Sequence, residues 1–315
     1  MHNMHERMYK MTKVFIDGSA GTTGLRIYDR LSARADIELI ILDDAVRKDI
    51  NARRDAINRA DVAFLCLPDA AAIEAVSLIN NDNTVVIDTS TAHRTNDGWT
   101  YGFAELVGYD AVKNAKRIAN PGCHASGYVA LVRPLIEKGI MNKNAYLTCT
   151  SLTGYSGGGK KMIAEYEEEP DILLSAPRQY GLTQTHKHLK EMAKISGLEN
   201  APAFLPIVGN FYSGMEVSVP VFGKDINGGI EDIKDVYRKI YTGKIVHFDE
   251  IADENGFMSA NAFELKDDMQ ITVCGNDERI LLVARFDNLG KGASGSAIQN
   301  MNILIGADEC TGLNI

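Results

Sequence analysis

Short apolar runs and segments of helical period take turns along the N-terminal part of the chain. Lys13-Val14-Phe15-Ile16-Asp17 has the length of a strand, and after a glycine cluster Leu25, Ile27, Tyr28 and Leu31 return on one helical face. Residues 37–42, 62–67 and 84–88 repeat the apolar run, with a helical stretch around residues 70–79 before the last of them. Strands that are apolar on both faces belong to a parallel sheet covered on both sides. Tyr128, Leu131, Val132, Leu135 and Ile136 then stand at i, i+3, i+4, i+7 and i+8, which predicts a buried helix beginning near Cys123; Pro134 predicts a kink or an early end. Further on, the period changes to two. Residues 145–152, 214–221, 262–265 and 271–274 alternate, and residues 280–286 are continuously apolar, which together predict a mostly antiparallel sheet. Residues 180–192 predict a helix capped by Thr183 or Thr185 and ended by Gly197, and Ala297, Ile298, Met301, Leu304 and Ile305 predict a last helix.

Composition narrows the class. A chain of 315 residues with 45% hydrophobic and 24% charged positions has room for about two domains with cores of their own. Its net charge of -9 and pI near 5.3 speak against a nucleic-acid partner, and no apolar run reaches the length of a membrane span. The cysteines are five, widely spaced and without a Cys-x-x-Cys pair, so neither a disulfide framework nor a metal site is expected. A reducing cytoplasm suits them. The opening stretch from Met1 to Lys10, with its two histidines, reads as a loose polar extension.

The glycine cluster sits where chemistry is expected. Gly18-Ser19-Ala20-Gly21-Thr22-Thr23-Gly24 joins a strand to a helix, so its backbone can approach a pyrophosphate at the helix N-terminus. The fold class follows: α/β, a Rossmann-type doubly wound parallel sheet plus a second α+β domain with a mostly antiparallel sheet. Residues 12–122 form the NAD(P)-binding domain, completed by the C-terminal helix at 290–315, and residues 123–289 form the catalytic domain. Asp43-Asp44 stands where an acidic residue accepts from a ribose 2'-hydroxyl, while Arg47 and Lys48 could instead neutralise a 2'-phosphate. NAD and NADP both remain open on these residues.

Asn120-Pro121-Gly122-Cys123 delivers a cysteine to a helix N-terminus, where orphan N–H groups and the dipole are expected to lower its pKa and make it a nucleophile. Arg94, in a loop after an apolar strand, is a candidate anion clamp. Lys160, in a glycine-rich loop at 154–161, is a second. His186 and His188 stand two apart, which argues against a shared metal; one of them can serve the thiol, and Glu191 is spaced to orient His188.

These stretches, in this order, resemble the shorter form of the N-acetyl-gamma-glutamyl-phosphate reductase family. The most specific are Asn120-Pro121-Gly122-Cys123, the His186-Lys187-His188-x-x-Glu191 stretch with Tyr180 upstream, and the run from Asp287 through Asn288 to Gly295. Asp88-x-Ser90-x-x-x-Arg94 and the glycine loop are shared with the aspartate-semialdehyde dehydrogenase group. The resemblance implies NADPH, Cys123 as nucleophile and His186 as base. With it, Arg94, Lys160, Tyr180, His188 and Glu191 are expected on the substrate side, and the glycine loop, Ser90 and Asn288 on the cofactor side. It further implies an acyl phosphate as small-molecule substrate and a homo-oligomer, dimer or tetramer. A related phosphorylating semialdehyde dehydrogenase, of aspartate or aminoadipate type, and a non-catalytic NAD(P)-sensing protein are the alternative readings.

Overall fold

The computed structural model describes residues 11–168 and 171–315; the polar extension from Met1 to Lys10 lies outside them. The first sheet has six parallel strands in the order β2-β1-β3-β4-β6-β5. They are β1 (Thr12–Asp17), β2 (Ile37–Ile40), β3 (Val62–Leu65), β4 (Val85–Asp88), β5 (Thr100–Tyr101) and β6 (Arg117–Ala119). Between them run α1 (Thr22–Ser32), α2 (Ile50–Arg59), α3 (Asp69–Ser77), α4 (Ala104–Val107) and α5 (Tyr109–Lys113). The apolar strands sort by residue parity. Val14, Ile16, Phe64 and Ile87 join one core with Ile27 and Leu31 of α1, while Phe15, Ala63, Leu65 and Val86 join another with Ala56, Ile57, Ala72 and Ala75. Each large side chain so buried contributes roughly 1.5–3 kcal/mol, and burial on both faces is what the unbroken apolar runs encode.

The second sheet has seven strands in the order β11-β12-β13-β10-β7-β9-β8. These are β7 (Thr148–Gly154), β8 (Arg178–Gln179), β9 (Ala203–Gly209), β10 (Met215–Phe222), β11 (Val246–Phe248), β12 (Met269–Gly275) and β13 (Arg279–Phe286). Only β7 with β9 and β11 with β12 pair in parallel, so the sheet is mostly antiparallel. Its helices are α6 (Cys123–Glu137), α7 (Gly159–Glu167), α8 (His188–Ser196) and α9 (Ile230–Ile240). The chain ends with a π-helical turn, Gly290–Ser294, and α10 (Gly295–Ile305), whose Ala297, Ile298 and Met301 pack in the core with Val14, Ile27 and Ile87.

α6 is the central helix. Gly127 lets it lie flat on the second sheet, because a Cβ there would come within 2.6 Å of Val217. Pro134 falls inside α6, one turn before its end at Glu137. A proline four residues on leaves the Ala130 carbonyl without its helical donor. The Tyr241 hydroxyl supplies one at 2.6 Å, and Tyr237 donates to Leu131 beside it.

Three sequence expectations are corrected. Residues 262–265 are not a strand but successive turns, in which Ala262, Glu264 and Lys266 donate to carbonyls three residues back and Leu265 takes φ 64°. The apparent alternation there is a buried Phe263 between exposed neighbours. α8 starts at His188, later than expected, because the Thr183 and Thr185 hydroxyls bond to each other at 2.7 Å and cap nothing. The glycine-rich stretch 154–161 is not an open loop but a tight turn running into α7. Gly197 does end α8, in the left-handed conformation.

Candidate active site

A trough runs across the carboxyl ends of the first sheet toward Cys123. It begins as a cavity of about 370 Å³ lined by Gly18, Ser19, Ala20, Asp44, Arg47 and Lys48. It continues past Gly21, Thr22, Thr23 and Gly24, where the far wall is Ser156, Gly157 and Leu289 of the second domain. Thr23, Thr89, Gly157 and Leu289 also line the next cavity, of about 320 Å³, whose floor is Gly122, Cys123 and His124. The glycines have separate duties. Gly18, at φ 91°, and Gly24 make close contacts, since a Cβ would sit 2.3 Å from the Cys66 carbonyl oxygen and 2.4 Å from the Gly18 oxygen. At Gly21 the nearest atom to such a Cβ is 3.5 Å away, so the fold does not require glycine there and the bareness faces the trough.

Cys123 is the first residue of α6 and is partly buried. The turn before it is fixed by Glu191 of α8. One carboxylate oxygen accepts the Gly122 amide at 2.9 Å and the Tyr101 hydroxyl at 2.8 Å, and the other accepts Arg94 at 3.0 Å. Arg94 further donates to the Asn120 and Thr89 carbonyls, both at 2.9 Å. The C-terminal turn closes the site from behind: Asn120 donates to the Ala293 carbonyl at 3.0 Å, and Gly292 lies so close that a Cβ would be 3.0 Å from that of Cys123. Asn288 holds the other wall, donating to Ser156 and accepting the Gly214 amide, each at 3.0 Å.

Four rings gather over the cysteine. Tyr180, His186 and His188 line the cavity with His124, and ring centroids are 5.7 Å apart for His124 and His186 and 4.8 Å for His186 and His188. His124 is hydrogen-bonded on both sides, to Ser151 at 2.7 Å and to Tyr180 at 2.6 Å. His186 accepts the His188 amide at its Nδ1, 3.2 Å away. Burial holds all three imidazoles neutral: it pushes His124 down to about 3, lowers His188 well below the usual histidine range, helped by Arg94, and lowers His186, helped by Lys187.

The expectation of an acidified thiol is corrected. Burial raises the pKa of Cys123, and the opposing effects of the Arg94 charge and of the His124 amide do not overcome it. The His188–Glu191 pairing is corrected as well. Glu191 spends its oxygens on Gly122, Tyr101 and Arg94, and the buried His188 Nδ1 has no hydrogen-bond partner.

Among the described residues no group of three or more His, Cys, Asp or Glu is arranged to hold a metal ion, and no helix is long and apolar enough to cross a membrane.

Comparison with known proteins agrees with this layout. The description "Semialdehyde dehydrogenase, NAD binding domain" matches residues 13–115, and "Semialdehyde dehydrogenase, dimerisation domain" matches residues 123–288. N-acetyl-gamma-glutamyl-phosphate reductase 2 of Nostoc sp. is 44% identical over 96% of this chain and 99% of its own. The N-acetyl-gamma-glutamyl-phosphate reductase of Rhizobium etli is 45% identical over 93% of this chain and 98% of its own. The chain belongs to the N-acetyl-gamma-glutamyl-phosphate reductase family. Solved structures share the fold: aspartate semialdehyde dehydrogenase II of Vibrio cholerae, complexed with ASA, has a TM-score of 0.71 at 17% identity, covering 94% of this chain and 98% of that one. Aspartate semialdehyde dehydrogenase of Candida albicans, with NADP, has a TM-score of 0.64 at 15% identity over 94% and 98%.

In this reductase-family chain the expected site residues fall into groups. Cys123, His186, His188, Tyr180, Arg94 and Asn288 line one cavity. Glu191 stands behind it as the tie for the cysteine turn. Ser90 is tied back to Asp88, donating to it from its hydroxyl at 2.7 Å and its amide at 2.9 Å, and lines none of the three cavities. Lys160 is exposed in the first turn of α7 and is likewise absent from their walls. Sequence reasoning missed His124 and Lys187. Both stood beside residues already singled out, but only the fold shows that a helix's second residue turns its ring into the cavity.

Proposed function

We propose that the protein reduces N-acetyl-L-glutamyl 5-phosphate to N-acetyl-L-glutamate 5-semialdehyde and phosphate, using NADPH, as a cytoplasmic step of arginine biosynthesis. One observation carries the choice of acyl group: the cavity above Cys123 is lined by Lys187 and by Arg94, whose partner Glu191 lies behind the wall, and, among the described residues, no carboxylate lines it. A free α-ammonium, as an aspartyl phosphate bears, would find no counter-ion there. An acylated amine is uncharged, and the substrate's carboxylate and phosphate meet the cations.

The trough suits a dinucleotide. The amides of Thr22, Thr23 and Gly24 have no intrahelical acceptor, and the open side of Gly21 leaves space for a pyrophosphate beside them. Arg47 and Lys48 line the first cavity beside Asp44, and their two positive charges against its one negative favour a 2'-phosphate. When bound, the cofactor supplies the hydride.

The protein's own groups do the rest. Cys123 Sγ attacks the acyl carbonyl as its proton passes to His186; the bond from that carbon to the phosphate oxygen breaks, and a Cys123 thioester remains. The neutral His186 ring takes the proton in the tautomer that releases its 3.2 Å contact to the His188 amide, a contact at the long limit of hydrogen bonds. The Cys123 amide at the start of α6, which has no intrahelical acceptor, is placed to donate to the oxyanion. After reduction, the C–S bond breaks as the aldehyde forms. The description of the second domain as a dimerisation domain supports a homo-oligomer, and we read this chain as a dimer or tetramer.

The test is phosphate-dependent oxidation of N-acetylglutamate semialdehyde, with NADP and with NAD, beside aspartate and aminoadipate semialdehydes. Preference for the N-acetylated aldehyde and NADP is the expected result. Equal or better kcat/KM on aspartate semialdehyde would overturn the acyl assignment, and nucleotide binding without turnover of any aldehyde would point to a sensing protein.

A further inference from the structure

The Ser151, His124 and Tyr180 side chains form an unbranched row from the second sheet to the acyl cavity. Ser151 sits on β7 with no solvent exposure, and His124 follows the cysteine in α6 and is almost fully buried. Tyr180 lines the cavity. The bond lengths, 2.7 Å from Ser151 to His124 Nδ1 and 2.6 Å from His124 Nε2 to Tyr180, do not by themselves say which way each proton points.

The ends of the row decide its direction. The Ser151 hydroxyl makes no other hydrogen bond among the described residues, so its proton has one acceptor within reach, His124 Nδ1. A buried hydroxyl that withheld it would pay the cost of an unmade bond, about 1–3 kcal/mol. Nδ1 is then a lone-pair acceptor. A neutral imidazole with a bare Nδ1 carries its proton on Nε2, and burial among Phe204, His186 and His188 keeps the ring neutral. Nε2–H must therefore donate to the Tyr180 oxygen. The Tyr180 hydroxyl has no other partner among the described residues, so its own proton is left for whatever occupies the cavity.

We infer that this row is a one-way hydrogen-bond chain, Ser151 to His124 to Tyr180, that fixes Tyr180 as a donor to an acceptor oxygen of the bound acyl group, with His124 as the residue that positions it. The identity of that acyl group rests on the function proposed above; the direction of the chain does not. A row pointing the other way would present a lone pair to the substrate and welcome an ammonium. Polarised as it is, it adds a directional donor to a cavity whose charged lining residues are Arg94 and Lys187.

Nitrogen-15 NMR of the histidine rings in the substrate-free protein tests the direction. The His124 signals are assigned by their loss in His124→Gln and their shift in Tyr180→Phe. We expect a pyrrole-type Nε2 and a pyridine-type Nδ1 that do not titrate down to pH 5; a protonated Nδ1 would overturn the chain. The donor role is read in kinetics. Tyr180→Phe removes one hydroxyl and should raise KM for N-acetylglutamate semialdehyde about five- to tenfold, with kcat changed less than about threefold. An unchanged KM would overturn the donor role. Wild-type protein inactive on that aldehyde but with the expected tautomer would sink the substrate assignment and leave the chain's direction standing.

Discussion

Cys123 shows two effects of one position acting against each other. The start of α6 is where an anion is favoured, yet the same packing that builds the site removes water from the sulfur, and desolvation outweighs the Arg94 charge and the His124 amide. With the thiol raised and His186 lowered, the free protein holds a neutral thiol and a neutral imidazole. The sign for activity follows. The nucleophilic thiolate gains population as pH rises, so kcat/KM should climb on an alkaline limb set above the free-cysteine value of about 8.5. A pH profile of the phosphate-dependent reaction checks this, and a plateau already reached at neutral pH would contradict it. Gly21 gives a second residue-scale test. Because no close contact requires glycine there, Gly21→Ala should leave thermal unfolding nearly unchanged while weakening NADP binding about tenfold by calorimetry, roughly 1.4 kcal/mol. Equal losses of stability and affinity would assign Gly21 to the fold instead. At this scale the sequence reading named Cys123 and the histidines from local pattern, but not who partners whom. Spacing pairs Glu191 with His188, one turn away in the same segment, whereas its partners Gly122, Tyr101 and Arg94 come from segments 69 to 97 residues distant.

Helices and strands were more legible where burial imposes a period. The run beginning at Lys13, the glycine turn and the helix after it stand where the apolar pattern puts them, and Gly197 ends α8 as its left-handed conformation demands. Residues 262–265 misled because a turn with one buried aromatic copies a strand's alternation over so few positions. α2, α7 and β9 leave no clear period in the sequence. α2 and α7 bury too few side chains to print a clear stripe, and β9 carries Pro206, a residue that argues against a strand. The missing N–H of Pro134 predicts a kink or an early end, and α6 runs on for one turn beyond it. Tyr241 explains how, since its hydroxyl serves the Ala130 carbonyl that the proline leaves unpaired. Tyr241→Phe should therefore cost about 1–3 kcal/mol in denaturant unfolding. A change below a few tenths would mean that the carbonyl finds another donor.

The two domains meet at the start of α6. The first sheet brings the glycine turn and Thr89 to the trough, the second brings Tyr180 and the histidines, and the C-terminal turn after Asp287 packs Gly292 against Cys123 before α10 enters the first core. Alternation of strands and helices made the two-sheet plan readable. The return of the last helix was readable only as a glycine turn with helical spacing after it, and its packing partners come from the distant N-terminal strand and helix. The function we propose makes Cys123 the acyl carrier between departure of phosphate and reduction. Intact-mass analysis after mixing the protein with N-acetylglutamyl phosphate, with no reduced cofactor present, tests that directly. One N-acetylglutamyl group should appear on the wild-type chain, labile to hydroxylamine as a thioester is, and none on Cys123→Ala; an unmodified wild-type chain that still turns over the acyl phosphate when NADPH is added would contradict the account.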